Sequence, residues 1–347
     1  MKRQEEIDIL KALAAFMVIL IHVTATPVTV LESGTVRGIL ILVNRFSKPS
    51  VPIFFFVSGL MLQWGTRNRT FQYGPFLGRR AVRVLIPYGF WCVVYYAWFL
   101  LAGTYPLDLR FFCWNLLSGK LLYHLYFIPA IVQFYFLFGI FRRIVTRHSK
   151  KWVLPLGFCL NVLEILWIPQ LYYGRCFATY LTVFLTGCYA GESFERFRAW
   201  AVSRSVLISA GILTILFGLI YTLQFSQQLR QEPVLFTNDR LMFLLFSLAM
   251  SIFGCGVVMT LTDSWNRRNG FLKKIVGKLA QIGRVSYSIY LAHPLFLLIG
   301  GKIAVLAGLG VVREMIVSLL LTIFVCVPLS IGWEKIRLKM RKKHFAA

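Results

Sequence analysis

The chain has 347 residues, of which 58% are hydrophobic and only 15% charged, with a mean hydropathy of +0.70 and a formal net charge of +25. Soluble domains carry about 25% charged residues, so this composition excludes an ordinary soluble globule and fits a chain whose surface faces lipid. The positive charge does not mark a nucleic-acid binder, because the Lys and Arg residues stand in short clusters between apolar runs rather than along one soluble face.

Apolar runs of about 20 residues, the length that crosses a bilayer core, fall at 7–26, 38–64, 84–103, 122–141, 152–169, 174–191, 203–223, 240–262, 284–301 and 311–334. The expected fold is an all-α, polytopic membrane helix bundle of about ten transmembrane helices. Lys2 and Arg3 ahead of the first run resemble the start of a signal peptide, but Asp8, Lys11 and His22 inside it argue for a retained first helix. The second run is broken by Lys48-Pro49-Ser50-Val51-Pro52. Two prolines remove backbone donors, and broken backbone at membrane depth is tolerated only where protein or water satisfies it. That stretch is therefore expected to line a cavity or lie at the interface.

With the N-terminus placed inside, 27 of the 38 Lys and Arg residues fall in inner segments and ten in outer ones. This asymmetry predicts that the N and C termini are both cytoplasmic. The domain reading is a single transmembrane unit over 1–334 followed by a basic cytoplasmic tail, 335–347, that anchors topology and touches anionic lipid. None of the seven cysteines forms a CxxC pair or stands at metal-ligand spacing with histidines, so they read as small buried hydrophobes. Cys113 and Cys176 are the pair that an outer disulfide would use.

Ionisable groups inside membrane helices are costly and mark functional candidates. Lys11 and His22 are eleven residues apart, which puts them on one face of a helix, separated by a rise of about 16 Å. An imidazole can take a proton from a hydroxyl. Glu32, in the first outer loop, is close enough in sequence to fold back and orient it. The plainer alternative is a structural histidine between helices, with Lys11 snorkelling to the inner surface. A second group is Gly78-Arg79-Arg80-Ala81-Val82-Arg83, where Arg80 and Arg83, three apart on a helix, suit phosphate recognition; positive-inside anchoring is the competing account. A third is Ser286 to Pro294, whose hydroxyls and His293 suit interhelical hydrogen bonds, with His293 bonding Tyr290 or capping a proline kink. Gln63, Gln133, Asn161 and Glu164 are further polar groups within the runs, without an assigned role.

In this order, these blocks resemble the membrane-bound acyltransferase-3 family. Ile7-Asp8-Ile9-Leu10-Lys11-Ala12-Leu13-Ala14, continuing to His22, is similar to the family's basic residue, ten intervening positions and histidine. Val51-Pro52-Ile53-Phe54-Phe55-Phe56-Val57-Ser58-Gly59 is similar to its proline, aromatic run and Ser-Gly; Arg80 to Arg83 with Pro87 and Ser286 to His293 carry the rest. Leu125-Tyr126-Phe127-Ile128 resembles a weaker block that usually has tryptophan second. Where the family often has arginine and glycines, this chain has Lys11 and alanines, which keeps the charge without the bidentate fork.

The resemblance implies transfer of an acyl group, acetyl before succinyl, from acyl-CoA to a hydroxyl of a cell-envelope or exported polysaccharide. His22 would match the essential histidine, with Glu32 its orienting carboxylate. Arg80, Arg83 and Lys11 would bind acyl-CoA, with Ser58, Tyr290 and His293 in support. Acyl-CoA would be a co-substrate, and no permanently bound cofactor, metal or nucleic acid is implied. The implied location is a bacterial cytoplasmic membrane, crossed many times. The rival reading is a transporter or flippase exporting a glycan or lipid-linked sugar, which would share the broken span and buried charges. A third is a structural partner in an envelope-synthesis complex.

Overall fold

The computed structural model describes the backbone of residues 5–168, 174–233, 238–267 and 270–346, and the side chains of these except 267 and 337–346. Lys2 and Arg3, Pro169 at the end of the fifth predicted run, Arg268, and the basic side chains of the tail from 337 onward lie outside the described residues.

Among the described residues every regular element is helical. In chain order, α1 (Glu5–Val23), α2 (Ala25–Val30), α3 (Thr35–Ser47) and α4 (Ser50–Thr66) are followed by α5 (Tyr73–Arg80), a π-helical segment (Ala81–Leu85), α6 (Ile86–Leu101) and α7 (Leu109–Ser118). Next come α8 (Phe127–Arg147), α9 (Lys150–Trp167), a 3-10 turn (Phe177–Tyr180), α10 (Leu181–Glu192) and α11 (Phe194–Ala201). The chain continues through α12 (Arg204–Leu229), α13 (Asp239–Arg267), α14 (Phe271–Arg284), α15 (Ser286–Leu306) and α16 (Val311–Leu321), and a second π-helical segment (Thr322–Cys326) leads into α17 (Val327–Ala346).

Local chemistry explains several boundaries. Asp108 and Ser149 are N-caps whose side chains accept from Arg110 N at 2.7 Å and Lys151 N at 3.3 Å. Glu5, Glu6 and Asp8 place negative charge on the first turn of α1, where the helix dipole favours it. Pro49 stands in the two-residue turn between α3 and α4, which is where the broken second run was expected to bend.

Among the described residues, seven helical stretches are long and apolar enough to cross a membrane: Thr35–Thr66, Tyr73–Leu101, Phe127–Arg147, Arg204–Leu229, Asp239–Asn266, Ser286–Leu306 and Val311–Ile336. The protein is a multi-pass membrane protein. The other three predicted runs are helical but differ in kind. α1 carries Glu5, Glu6, Asp8 and Lys11; α9 carries Lys150, Lys151 and Glu164 within 18 residues; α10 has 12 residues after the 3-10 turn.

The helices form two compact units, residues 1–53 with 200–347 and residues 54–199. In the first, α14 packs along α1, burying Val276, Ala280 and Gly283 and leaving Lys273, Lys274 and Arg284 exposed. Gly283 lies against the carbonyl of Asp8, where any side chain would collide with backbone. Beside this pair, Ile19 and Val23 of α1 join Val285, Ile289 and Val327 in an apolar cluster.

The second unit has an aromatic core: Phe55 stacks on Tyr180 and Phe134 on Phe184, each with ring centroids 4.1 Å apart. Gly59 of α4 and Gly187 and Gly191 of α10 face the partner helix's carbonyls, so the two backbones meet directly, as small-residue helix pairs do in membranes. Here the intramembrane polar groups find structural roles. Asn161 Oδ1 accepts from Thr182 N at 2.9 Å and Glu164 Oε1 from Thr179 Oγ1 at 2.8 Å. Gln133 donates to Arg175 O at 2.7 Å and accepts from Phe177 N at 3.0 Å, and Gln63 donates to Glu192 at 2.5 Å. Glu164 and Gln133 bind the 3-10 turn and its approach to α9 and α8, and Asn161 binds the start of α10 to α9. All seven cysteines are free thiols, Cys113 and Cys176 included.

Candidate functional site

The site begins on α1, one uninterrupted helix from Glu5 to Val23 that carries both Lys11 and His22. The rise of about 16 Å between them is therefore kept. Lys11 Nζ lies 2.5 Å from Asp8 Oδ1, one turn earlier, so its charge is matched locally by a buried carboxylate. His22 occupies the last turn, half-buried. Immediately after it the helix is tied off from α3. Asn44 Nδ2 donates to the carbonyl of Ile21 at 3.0 Å and to Thr24 Oγ1 at 2.9 Å, and Thr24 Oγ1 donates to Leu20 O at 2.6 Å. Asn44 and Thr24 are 4% and 2% exposed, so this knot fixes the backbone on both sides of His22 away from solvent.

The ring that meets His22 comes from α15. Pro294 has no N–H, so the carbonyl of Tyr290, four residues back, loses its helical partner. His293 fills the gap: its Nδ1 lies 2.8 Å from Tyr290 O and 3.2 Å from Ile289 O. Carbonyls only accept, so Nδ1 carries the proton and the lone pair of the neutral ring is on Nε2. The two predicted roles for His293, bonding Tyr290 and capping a proline kink, are thus one arrangement. The His293 ring stacks on His22, with centroids 5.4 Å apart and planes 24° apart. Ile289, one turn before His293, belongs to the apolar cluster with Ile19 and Val23, so packing presses α15 onto α1 at the level of the two imidazoles. Tyr290 itself is buried, its ring 6.2 Å from that of His293.

Glu32 is not brought to this pair. It stands exposed in the turn after α2 and makes no hydrogen bond or ion pair among the described residues. α3 supplies a group to which the sequence reading gave no individual role. Lys48, at its C-terminal end, is half-buried and close enough for its charge to act on the His22 ring. Arg45, three residues before, is engaged elsewhere: Nη1 donates to the Tyr221 hydroxyl at 3.2 Å and the guanidinium lies 3.1 Å from the centroid of Phe225.

In the second unit, Arg80 and Arg83 stand on successive elements in different settings. Arg80 ends α5 and Arg83 lies in the π-helical segment. Arg80 is half-buried, with its guanidinium 5.4 Å from the Phe76 ring and 5.6 Å from the Tyr135 ring, while Arg83 is exposed. Ser58 is half-buried on α4. In that block the geometry accounts for its neighbour Gly59, at the contact with α10.

A histidine at the end of a polar-marked helix, stacked on a second imidazole of fixed tautomer, is chemistry for moving a proton. Comparison with known proteins adds the reaction class. Residues 4–331 match the acyltransferase domain of the acyltransferase-3 family. The chain belongs to that family. Over 330 residues it is 23% identical to a protein of Bacillus subtilis (strain 168) named "Putative membrane-bound acyltransferase YfiQ", covering 85% of this chain and 82% of the relative. No solved structure matches the chain. The protein is a membrane acyltransferase. Asn44 escaped the sequence reading, and Lys48 entered it only as part of the broken stretch 48–52, without a role of its own. The signal that could have found Lys48 was its place at the proline break.

Proposed function

We propose that the protein transfers an acyl group, acetyl before succinyl, from acyl-CoA to a hydroxyl of a cell-envelope or exported polysaccharide. In this reading it crosses a bacterial cytoplasmic membrane about ten times, with both termini inside, donor on the inner side and acceptor on the outer. The observation that carries the reading is the His22–His293 stack on a chain matched to the acyltransferase-3 family over nearly its whole length.

His22 acts as general base for the acceptor hydroxyl. His293, held by its Nδ1–H, gives the imidazole a fixed neighbour so that it is not free to rotate away. Glu32 is the carboxylate assigned to orient the imidazole when acceptor is bound, a role that requires the turn after α2 to fold toward α1. Arg80 and Arg83 bind the donor's phosphates, Arg83 as an exposed point of contact and Arg80 as a guanidinium braced by aromatic rings. Lys11, already paired with Asp8, serves the donor's approach along α1.

The test is free-thiol release from acetyl-CoA and succinyl-CoA by protein in liposomes, with and without envelope polysaccharide extracted from the source cells. Polysaccharide-dependent thiol release supports the reading. Movement of the polysaccharide across the bilayer without thiol release marks a transporter instead.

A further inference from the structure

An acyl-transfer site needs more than a base. When an alkoxide adds to a thioester, the carbonyl oxygen becomes an anion, and a donor aimed at it is commonly the largest contribution to rate. Neither imidazole is suited to that task in the arrangement described. His22 must hold the proton it removes, and the N–H of His293 is spent on Tyr290 O.

α3 brings a third group to the same place. Its register against α1 is set by Asn44, whose amide bonds Ile21 O and Thr24 Oγ1. Lys48 follows four residues later, one turn along the same face, at the point where Pro49 ends the helix. Its charge reaches the His22 ring. Among the described residues Lys48 has no carboxylate partner, unlike Lys11 with Asp8. The neighbouring cation, Arg45, is held away by Tyr221 and Phe225. An unpaired ammonium beside an imidazole that must itself become positive is unfavourable unless a negative charge forms between them.

We infer that Lys48 is the electrostatic partner of His22, its ammonium donating to the oxyanion of the tetrahedral intermediate. The acceptor hydroxyl gives its proton to His22 and its oxygen bonds to the thioester carbonyl carbon. The carbonyl π pair moves onto oxygen, where Lys48 Nζ donates to it. Collapse restores the carbonyl, breaks the C–S bond, and the CoA thiolate leaves and takes the proton from His22. The ester is formed, CoA–SH is released, and Lys48 ends as it began. The neutral imidazole of His293 and the Asn44 knot hold the pair in place.

This inference rests on the acyl-transfer reading, and the experiment separates the two. Wild type, His22→Ala, Lys48→Met, Lys48→Gln and Lys48→Arg are compared in liposomes with acetyl-CoA or succinyl-CoA as donor and extracted envelope polysaccharide as acceptor. Thermal unfolding in detergent is measured in parallel. The expected result is a kcat lower by about 10²–10³-fold in Lys48→Met, with KM for the donor within about threefold of wild type. Lys48→Arg, which keeps the charge, recovers at least about tenfold of that loss. If Lys48→Met does not fold, Lys48→Gln carries the test. A kcat within about threefold of wild type, a rise in KM alone, or Lys48→Arg as slow as the neutral variants overturns the role of Lys48 while leaving the function standing. Absence of any His22-dependent turnover in wild type overturns the function, and this inference with it.

Discussion

Pro294 decides what His293 can do. A proline inside a helix ordinarily costs about 3 kcal/mol because it removes a hydrogen bond and crowds the preceding turn. Here the carbonyl it orphans is used to pin an imidazole. Pro294→Ala should return an N–H to Tyr290 O, compete with His293 Nδ1 and loosen the ring. The expected outcome is an unfolding temperature equal to or above wild type with acyl transfer slower by about tenfold, the size of a partial loss of acid–base geometry. Unchanged kcat would show that His293 need not be held. Part of this was legible in the residues themselves: the spacing of Lys11 and His22, and a histidine placed beside a proline. The stacking of His22 on His293 was not, because it joins residues on helices far apart in the chain, and Glu32's exposure has no local signal.

The family's blocks acquire different meanings once they sit on elements. The aromatic run 54–56 and Gly59 organise α4 in the second unit: Phe55 and Phe56 are fully buried, and Gly59 meets α10 with Gly187 and Gly191. Gly187→Leu should push α10 off α4 and cost on the order of 1–3 kcal/mol or more, read as a lowered unfolding temperature in detergent. A neutral result would mean the two helices are not in backbone contact. The arginine motif also changes on inspection of its element. Its two arginines differ in setting, Arg80 braced by the Phe76 and Tyr135 rings and Arg83 exposed. Arg83→Gln is expected to raise KM for acyl-CoA by about tenfold with the fold intact, the loss of one charged contact. Arg80→Gln should raise KM and also lower the unfolding temperature, because it removes packing against Phe76 and Tyr135. Equal behaviour of the two in both assays would contradict that division. Periodicity could not show the π turns, since the side-chain pattern is read at α-helical spacing.

At the scale of the whole molecule, hydropathy was the most legible quantity. Seven of the ten predicted runs are helices long and apolar enough to span, and the other three depart in charge or length for reasons visible in their residues. α1 is the instructive case: the same Asp8 and Lys11 that weaken it as a lipid-facing span form an ion pair on a helix whose side chains are mostly buried. The excess of Lys and Arg in the predicted inner segments, 27 of 38, makes the sidedness testable. Fused at the C-terminus in a bacterial host, a green fluorescent reporter should glow and alkaline phosphatase should stay inactive, and the opposite pair would reverse the topology. The most direct test of the central claim follows the acyl group itself. Liposomes holding the protein are loaded with acetyl-CoA labelled in its acetyl carbon, with extracted envelope polysaccharide outside, and label in the polysaccharide is compared between wild type and His22→Ala. Label that appears with wild type and falls by at least about a hundredfold in a folded His22→Ala variant is the predicted result. Equal labelling by the two would contradict a histidine-dependent acyl transfer.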